Sequence, residues 1–166
     1  MSDLALFLVF PALMIAAAFS DLFTMTIPNR IAIGLSGAFF VFAFALGLPL
    51  ETVGMHLLAG LAMLIVTFVM FARGWMGGGD AKLAAATALW MGWENLADYL
   101  LLSTILGGAL TLAILYLRGY PLPGLFRAQA WLVRLHDSKT GIPYGIALAV
   151  AGLALFPMTR IWIAGA

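Results

Sequence analysis

The sequence predicts an all-α, polytopic integral membrane protein with six transmembrane helices, and two observations lead to that prediction. The first is composition: 64% of the 166 residues are hydrophobic, only 9% are charged, and the mean hydropathy is +1.10. A soluble domain carries about 25% charged residues, so this much apolar surface is expected to have lipid as its solvent. The second is spacing: most of the apolar runs are about 20 residues long, enough to cross a hydrocarbon core of about 30 Å.

Polar residues, prolines and glycines separate the six runs. In chain order they cover residues 4–20, 31–48, 53–72, 80–93, 97–117 and 143–162. The fourth is short, about 21 Å at 1.5 Å per residue. Either its helix continues through Glu94, or Asp80 starts below the membrane surface, where protein or water must surround it. We find no internal repeat or linker, and expect a single membrane-embedded domain over residues 1–166.

The distribution of lysine and arginine predicts the orientation. With six spans, seven of the eight cationic residues fall on one side, and Arg160 stands alone on the other. Because positive residues favour the cytoplasm, both termini should lie outside, and Asp21 and Asp80 should face the cytoplasm. The first run is expected to be a retained helix, because Met1-Ser2-Asp3 contains no cation. The seven residues are Arg30, Arg73, Lys82, Arg118, Arg127, Arg134 and Lys139.

Residues 118–142 form the one long predicted loop. Apolar side chains recur there at three- and four-residue spacing, which predicts a short helix lying in the membrane interface, with Trp131 as its anchor. A connector with no role in substrate binding is an equal alternative. The apolar residues of this stripe are Leu125, Ala128, Leu132 and Leu135.

Two carboxylates mark the candidate site. Asp21 ends the first apolar run, and Asp80 follows Gly77, Gly78 and Gly79. An ionisable residue in so apolar a chain is costly and commonly functional. Two acids that share one proton can hydrolyse a peptide bond, because one activates water while the other protonates the carbonyl oxygen. The glycines would let an extended substrate approach, since no Cβ blocks it.

Other interpretations of these acids remain open. Asp80 could simply be the N-cap of the fourth helix, and Asp21 could simply mark the end of the first. A small proton-coupled transporter could use the pair as a relay, which predicts carboxylates at mid-bilayer. The absence of cysteine excludes disulfides, thiolate zinc sites and a cysteine nucleophile. The net charge of +1 gives no case for nucleic acid. We expect no metal and no cofactor, and we expect lone His56 to be a packed histidine.

Three segments stand out by their residue types and their order: Asp21 with Ile27-Pro28-Asn29, then Gly77-Gly78-Gly79-Asp80, then Ile142-Pro143-Tyr144-Gly145. Together they resemble segments of the type IV prepilin peptidase family. Asp21, with Ile27-Pro28-Asn29 after a short spacer, resembles the family's aspartate–spacer–Ile-Pro-Asn segment. Gly77-Gly78-Gly79-Asp80, followed by Ala81-Lys82-Leu83, resembles its glycine-x-glycine-aspartate motif. Ile142-Pro143-Tyr144-Gly145 resembles the proline-aromatic-glycine element that opens its last helix. The order and spacing agree over nearly the whole chain.

This resemblance implies an aspartic endopeptidase of the bacterial inner membrane. Such an enzyme cleaves the leader peptide from prepilins or pseudopilins at the cytoplasmic face, and the catalytic roles would belong to Asp21 and Asp80. An alternative role for Lys82 is that of a lysine whose ammonium group extends to the membrane surface. The candidate residues for substrate binding or positioning are Gly77, Gly78, Gly79, Pro28, Asn29, Lys82, Pro143, Tyr144 and Gly145.

Two features bear on the subtype. Large members of the family have a cysteine-rich cytoplasmic domain and methylate the new N-terminus, whereas this chain has no cysteine and only residues 22–30 between its first two helices. It therefore resembles the short CpaA/TadV-like peptidases of Flp-type pilus systems, and methyltransferase activity is not expected. A presenilin-like intramembrane protease, which also uses a glycine-x-glycine-aspartate segment, is the alternative within proteases.

Overall fold

The computed structural model describes residues 2–126 and 128–165, with side chains from residue 8 onward, and this part of the chain contains helices and no strand. The all-α fold class is therefore confirmed. The helices are α1 (Ser2–Thr24), α2 (Asn29–Ala45), α3 (Leu50–Ala72), α4 (Gly78–Arg118), α5 (Ala130–His136), α6 (Tyr144–Leu155) and α7 (Arg160–Gly165). Two 3₁₀ turns cover Gly124–Phe126 and Phe156–Met158.

The exterior of the bundle is apolar. Helices α3 and α4 are long and apolar enough to cross a membrane, and the shorter apolar helices cover Leu8–Thr24, Asn29–Ala45 and Tyr144–Met158. On α3, Leu61, Ile65 and Phe68 each expose more than half of their surface. Apolar side chains exposed on this scale suit a lipid environment better than water. The number of spans, six, stays a prediction.

Helix α4 consists of two helical halves that meet at Gly92, whose φ of 68° and ψ of 177° are not helical. This conformation is essentially restricted to glycine. The ring of His56 on α3 occupies the space beside it, with Cε1 2.9 Å from where a Cβ at Gly92 would lie. The same ring donates a hydrogen bond from Nδ1 to the Leu89 carbonyl oxygen, at 2.8 Å. The predicted fourth and fifth runs are therefore the two halves of α4. The fourth helix is interrupted at Gly92 and does not continue unbroken through Glu94.

The first half of α4 is fixed in the middle of the bundle by Trp90, whose side chain is fully buried. Its ring centroid lies 4.9 Å from that of Phe10 on α1 and 6.1 Å from that of Phe39 on α2. The indole Nε1–H donates a hydrogen bond to the Leu35 carbonyl oxygen at 2.9 Å, so its polar atom is satisfied. Because α1, α2 and α4 meet at one side chain, the first half of α4 has a defined position against both other helices.

The connection between α4 and α6 is fastened to the bundle. Arg118 donates hydrogen bonds to the carbonyl oxygens of Leu135 at 2.8 Å and Gly141 at 3.0 Å. Arg134 donates to the Phe23 carbonyl oxygen at 2.8 Å, and the Trp131 ring packs edge-on against Phe23 with centroids 5.4 Å apart. The connection therefore lies over the end of α1, close to Asp21 in sequence.

The helix predicted in this connection is shorter than the apolar stripe suggested. It spans Ala130–His136, so Leu132 and Leu135 belong to it, whereas Leu125 lies in a 3₁₀ turn and Ala128 in a turn. Arg127, assigned to this loop in the orientation argument, lies outside the described residues.

The last predicted run is interrupted. Helix α6 ends at Leu155, a 3₁₀ turn follows, and α7 begins at Arg160. The guanidinium of Arg160 forms a two-pronged ion pair with Glu94, with N–O distances of 2.8 and 2.9 Å. This pair follows Gly92 in α4, so it lies at the end of the bundle opposite to the start of α4.

Candidate active site

Three helix ends converge around Ile27, in the turn between α1 and α2. A Cβ on Gly79, at the start of α4, would lie 3.0 Å from the Ile27 Cβ and 3.2 Å from its backbone nitrogen and oxygen. A Cβ on Gly145, at the start of α6, would lie 2.6 Å from Ile27 Cδ1. The end of α1 and the starts of α4 and α6 therefore pack against one residue, and only glycine fits at the two contacts.

Asp21 faces inward from the last turn of α1, and only 5% of its surface is exposed. Its Oδ2 accepts a hydrogen bond of 2.7 Å from the backbone N–H of Gly145, in the first turn of α6. A carboxylate is stabilised at a helix N-terminus, where backbone N–H groups point outward. Helix α1 continues to Thr24. The interpretation of Asp21 as a residue that simply marks the end of this helix is therefore wrong.

Asp80 is the third residue of α4, and Gly77 is the N-cap, so the N-cap interpretation of Asp80 is wrong. Its carboxylate folds back over Gly77: Oδ2 lies 2.9 Å from where a Gly77 Cβ would be, and it interacts with the Gly77 backbone. Its Oδ1 is buried and has no hydrogen-bond partner among the described residues. Leaving a buried carboxylate oxygen unpaired is costly, so this oxygen is suited to a proton or to a bound polar ligand.

The two acids lie at the same end of the bundle, because Gly79, next to Asp80, and Gly145, which binds Asp21, both pack against Ile27. Two like charges held close together, away from bulk water, favour a pair that shares one proton. That state supplies an acid and a base at once. The acids belong to the last turn of α1 and the first turn of α4, which is not the mid-bilayer position that a proton relay in a transporter predicts.

Other residues of the protein occupy the space beside Gly77, Gly78 and Gly79. A Cβ on Gly78 would lie 3.2 Å from the Phe71 ring, and the space beside Gly77 and Gly79 is filled by Asp80 and Ile27. The sequence had suggested that these glycines leave space for a substrate backbone. In the structure they let α4 begin in close contact with α3 and with the turn before α2.

Pro28, Asn29 and Lys82 join α2 to α4. Pro28 is the N-cap of α2, and the Oδ1 of Asn29 accepts a hydrogen bond of 2.8 Å from the Lys82 ammonium. No ion pair between Lys82 and Asp80 occurs in the described part of the chain. Lys82 therefore positions α4 against α2 and does not contact the carboxylate two residues before it.

Pro143 and Tyr144 open α6. Pro143 is the N-cap, and the Tyr144 hydroxyl hydrogen-bonds with the Thr111 hydroxyl at 2.9 Å. The Tyr144 ring covers Gly107, where a Cβ would lie 3.2 Å from it. Tyr144 thus packs on the second half of α4, while the next residue, Gly145, holds Asp21.

Two residues that hold this site together, Ile27 and Thr67, were not among the predicted site residues. Ile27, in the turn that follows α1, packs against the starts of α4 and α6, and its position inside the Ile-Pro-Asn segment was an available signal. Thr67 on α3 is buried and donates hydrogen bonds to the carbonyl oxygens of Met63 at 2.8 Å and Ala81 at 3.2 Å. A lone threonine in an apolar run carries no such signal. The described residues contain no group of three His, Asp or Glu side chains suited to a metal ion.

The fold and the candidate site together define a class of protein: a helical bundle with helices long and apolar enough to span a membrane and with two acids at one end. Within that class, the chain belongs to the type IV leader peptidase family, whose model matches residues 8–112. The predicted resemblance is confirmed. The matched region contains both acids and the glycines, whereas Pro143, Tyr144 and Gly145 lie beyond it.

Similar proteins carry matching names. A prepilin leader peptidase/N-methyltransferase of Aeromonas salmonicida (strain A449) is 31% identical over 144 residues, covering 84% of this chain and 44% of that protein. A protein of the same name from Aeromonas hydrophila is 28% identical over 146 residues, with the same coverage. The chain therefore spans a little under half the length of the curated relatives it matches. No solved structure matches it significantly.

Proposed function

We propose that this chain is a membrane endopeptidase that removes leader peptides from type IV prepilins, with Asp21 and Asp80 as its catalytic acids. The observation that carries the proposal is the packing of Gly79, next to Asp80, and of Gly145, which binds Asp21, against the same residue, Ile27, at one end of the bundle. The family match, which spans both residues, supports the leader-peptide substrate.

The proposed reaction begins with one acid ionised and the other protonated. Asp21 is the better candidate for the ionised acid, because its Oδ2 accepts the Gly145 N–H. It takes a proton from water as the water oxygen attacks the scissile carbonyl carbon, while Asp80 gives its proton to the carbonyl oxygen. The acids then exchange roles: Asp21 protonates the leaving amine, Asp80 recovers the proton from the diol, and the C–N bond breaks.

We propose that the site faces the cytoplasm in a six-span arrangement of the bacterial inner membrane. The basic residues Lys82 and Arg134 lie at the end of the bundle that holds the acids: Lys82 bonds Asn29, and Arg134 bonds Phe23, two residues after Asp21. Arg160 lies beside Glu94 at the opposite end. This asymmetry agrees with the preference of cationic residues for the cytoplasmic side.

We further propose that the substrate is an Flp-type prepilin and that the enzyme does not methylate its product. The Aeromonas relatives are named for both leader cleavage and N-methylation, and this chain spans 44% of each. Methylation of the product is therefore a separate question from cleavage, and one measurement answers both.

The test is co-expression of the full chain with a candidate Flp-type prepilin in a host that lacks prepilin peptidases, followed by intact-mass measurement of the product. We expect loss of the leader mass without the added mass of a methyl group. Uncleaved prepilins, from Flp-type and other type IV systems alike, would overturn the proposed function. A methylated product would overturn only the proposal that methyl transfer is lacking.

A further inference from the structure

A cavity of about 460 Å³ lies between α3, both halves of α4 and α6, and some of its lining residues are close in sequence to the site of the two acids. Three lining residues connect it to the candidate active site. Met76 directly precedes Gly77, Ala84 lies one helical turn after Asp80, and Tyr144 directly precedes Gly145. The cavity extends from there along the bundle to Leu100, so one of its ends adjoins the acids and the other lies deeper between the helices.

The cavity presents an apolar surface although several hydroxyl groups line it. Thr104 donates its hydroxyl to the Leu101 carbonyl oxygen at 2.9 Å, and Ser103 donates to that of Tyr99. The Thr67 hydroxyl is used by the carbonyl oxygens of Met63 and Ala81. Because these donors are already satisfied by backbone, the cavity favours apolar side chains over polar ones.

The wall formed by α4 has no side chain at its centre. Gly108 lines the cavity, and a Cβ built there would meet no atom within 4 Å. Small residues on a membrane helix let another backbone approach closely. The wall is therefore suited to a segment of polypeptide as well as to side chains alone.

We propose that this cavity binds the apolar residues that follow the scissile bond of the substrate. The inference rests on the proposed function. A peptide bond held by Asp21 and Asp80 would have the cavity on the side of Met76, Ala84 and Tyr144, and the cationic Lys82 and Arg134 at the polar end of the bundle. The leader would lie at the polar end, and the first apolar residues of the mature chain would enter the cavity without crossing packed helices.

A second groove provides a matched control. It has a volume of about 820 Å³, lies between α2 and α3, and is lined by Gly37 and Lys82. A Cβ on Gly37 would also meet no atom within 4 Å, so the two glycines are alike in having open space where a side chain would begin. Lys82 lies two residues after Asp80 and thus on the other side of α4, whereas Ala84 shares the face of Asp80.

The first experiment measures prepilin cleavage by the full-length Gly108→Trp and Gly37→Trp variants in detergent micelles. We expect Gly108→Trp to raise KM at least about tenfold, the scale on which a filled apolar pocket discriminates, while Gly37→Trp stays at the wild-type value. Equal KM values in Gly108→Trp and wild type, or equal increases in both variants, would overturn the assignment of the cavity. A wild-type protein that cleaves no prepilin would instead overturn the proposed function.

The second experiment uses the absence of native cysteine. In an Asp80→Asn background that retains substrate, Thr104→Cys should form a disulfide with a prepilin that carries one cysteine a few residues after the scissile bond. The same prepilin should not cross-link to Gly37→Cys, and a prepilin with its cysteine in the leader should not cross-link to Thr104→Cys. Cross-linking at Gly37→Cys alone, or none at Thr104→Cys because lipid occupies the cavity, would contradict the proposal.

Discussion

Ionisable side chains occupy both ends of the bundle, and the two ends differ in how far these side chains are buried and in what they bond. At one end Asp21 is 5% exposed and held by a backbone N–H from another helix, and a buried carboxylate oxygen of Asp80 has no hydrogen-bond partner in the described part of the chain. At the other end Glu94 and Arg160 pair with each other while 63% and 58% of their side chains stay exposed. The first arrangement lowers the stability of the fold, because buried carboxylates are costly. The second is a solvated surface pair that contributes little to stability.

The largest effect is expected from the acids themselves. Asp21→Asn or Asp80→Asn should abolish prepilin cleavage while the protein still accumulates in the membrane, because an amide can neither accept nor supply the shared proton. The measurement is conversion of prepilin by mass, normalised to the amount of enzyme. Glu94→Gln, a carboxylate removed from the opposite end, serves as the matched control. Normal cleavage in either Asn variant would remove that residue from the catalytic pair.

Gly145→Ala should have the next largest effect on cleavage. Its methyl group would lie 2.8 Å from Asp21 Oδ2 and 2.6 Å from Ile27 Cδ1, so the carboxylate or α6 must shift. A displacement of about 1 Å at a catalytic group costs about 100-fold in rate, and we expect a loss of kcat on that scale. Kinetics on purified enzyme would measure it. Gly54→Ala is the control, since a Cβ there meets no atom within 4 Å. Full activity in Gly145→Ala would show that the close packing of α6 against Asp21 is not needed.

Gly92→Ala should affect stability more than chemistry. Alanine at φ 68° and ψ 177° is strained by about 1–3 kcal/mol, and its methyl group would meet the His56 ring at 2.9 Å. We expect a lower melting temperature in detergent and a small change in kcat at low temperature. If a second substitution, His56→Ala, restores part of the stability of Gly92→Ala, the contact contributes to the cost; if it restores none, backbone strain alone accounts for the loss.

The smallest effect is expected from the exposed pair. Arg160→Gln should leave cleavage at the wild-type rate and the melting temperature within experimental error, because exposed ion pairs are screened and their side chains lose freedom on pairing. The same assays apply, at low and at high salt. A marked loss of cleavage would mean that the two ends are coupled, and the comparison above would then be wrong.

The segments that carried the site were predictable because they depend on local chemistry. The aspartates, the glycines before Asp80 and the Ile-Pro-Asn turn occur in short stretches of sequence, and the family match covers them. The break at Gly92 was missed because a single glycine in an apolar run can be an ordinary helical residue. Its conformation depends on His56, 36 positions earlier in the chain.

Composition and spacing by themselves determined the helical class of this chain and the two acids to examine, since both follow from residue types and their local order. Tertiary structure alone decided that Asp80 is the third residue of α4 and that α6 supplies the N–H bound by Asp21. It also decided that the space beside the three glycines is occupied by Ile27, Phe71 and Asp80. Those features depend on contacts between residues up to 124 positions apart, which no local pattern encodes.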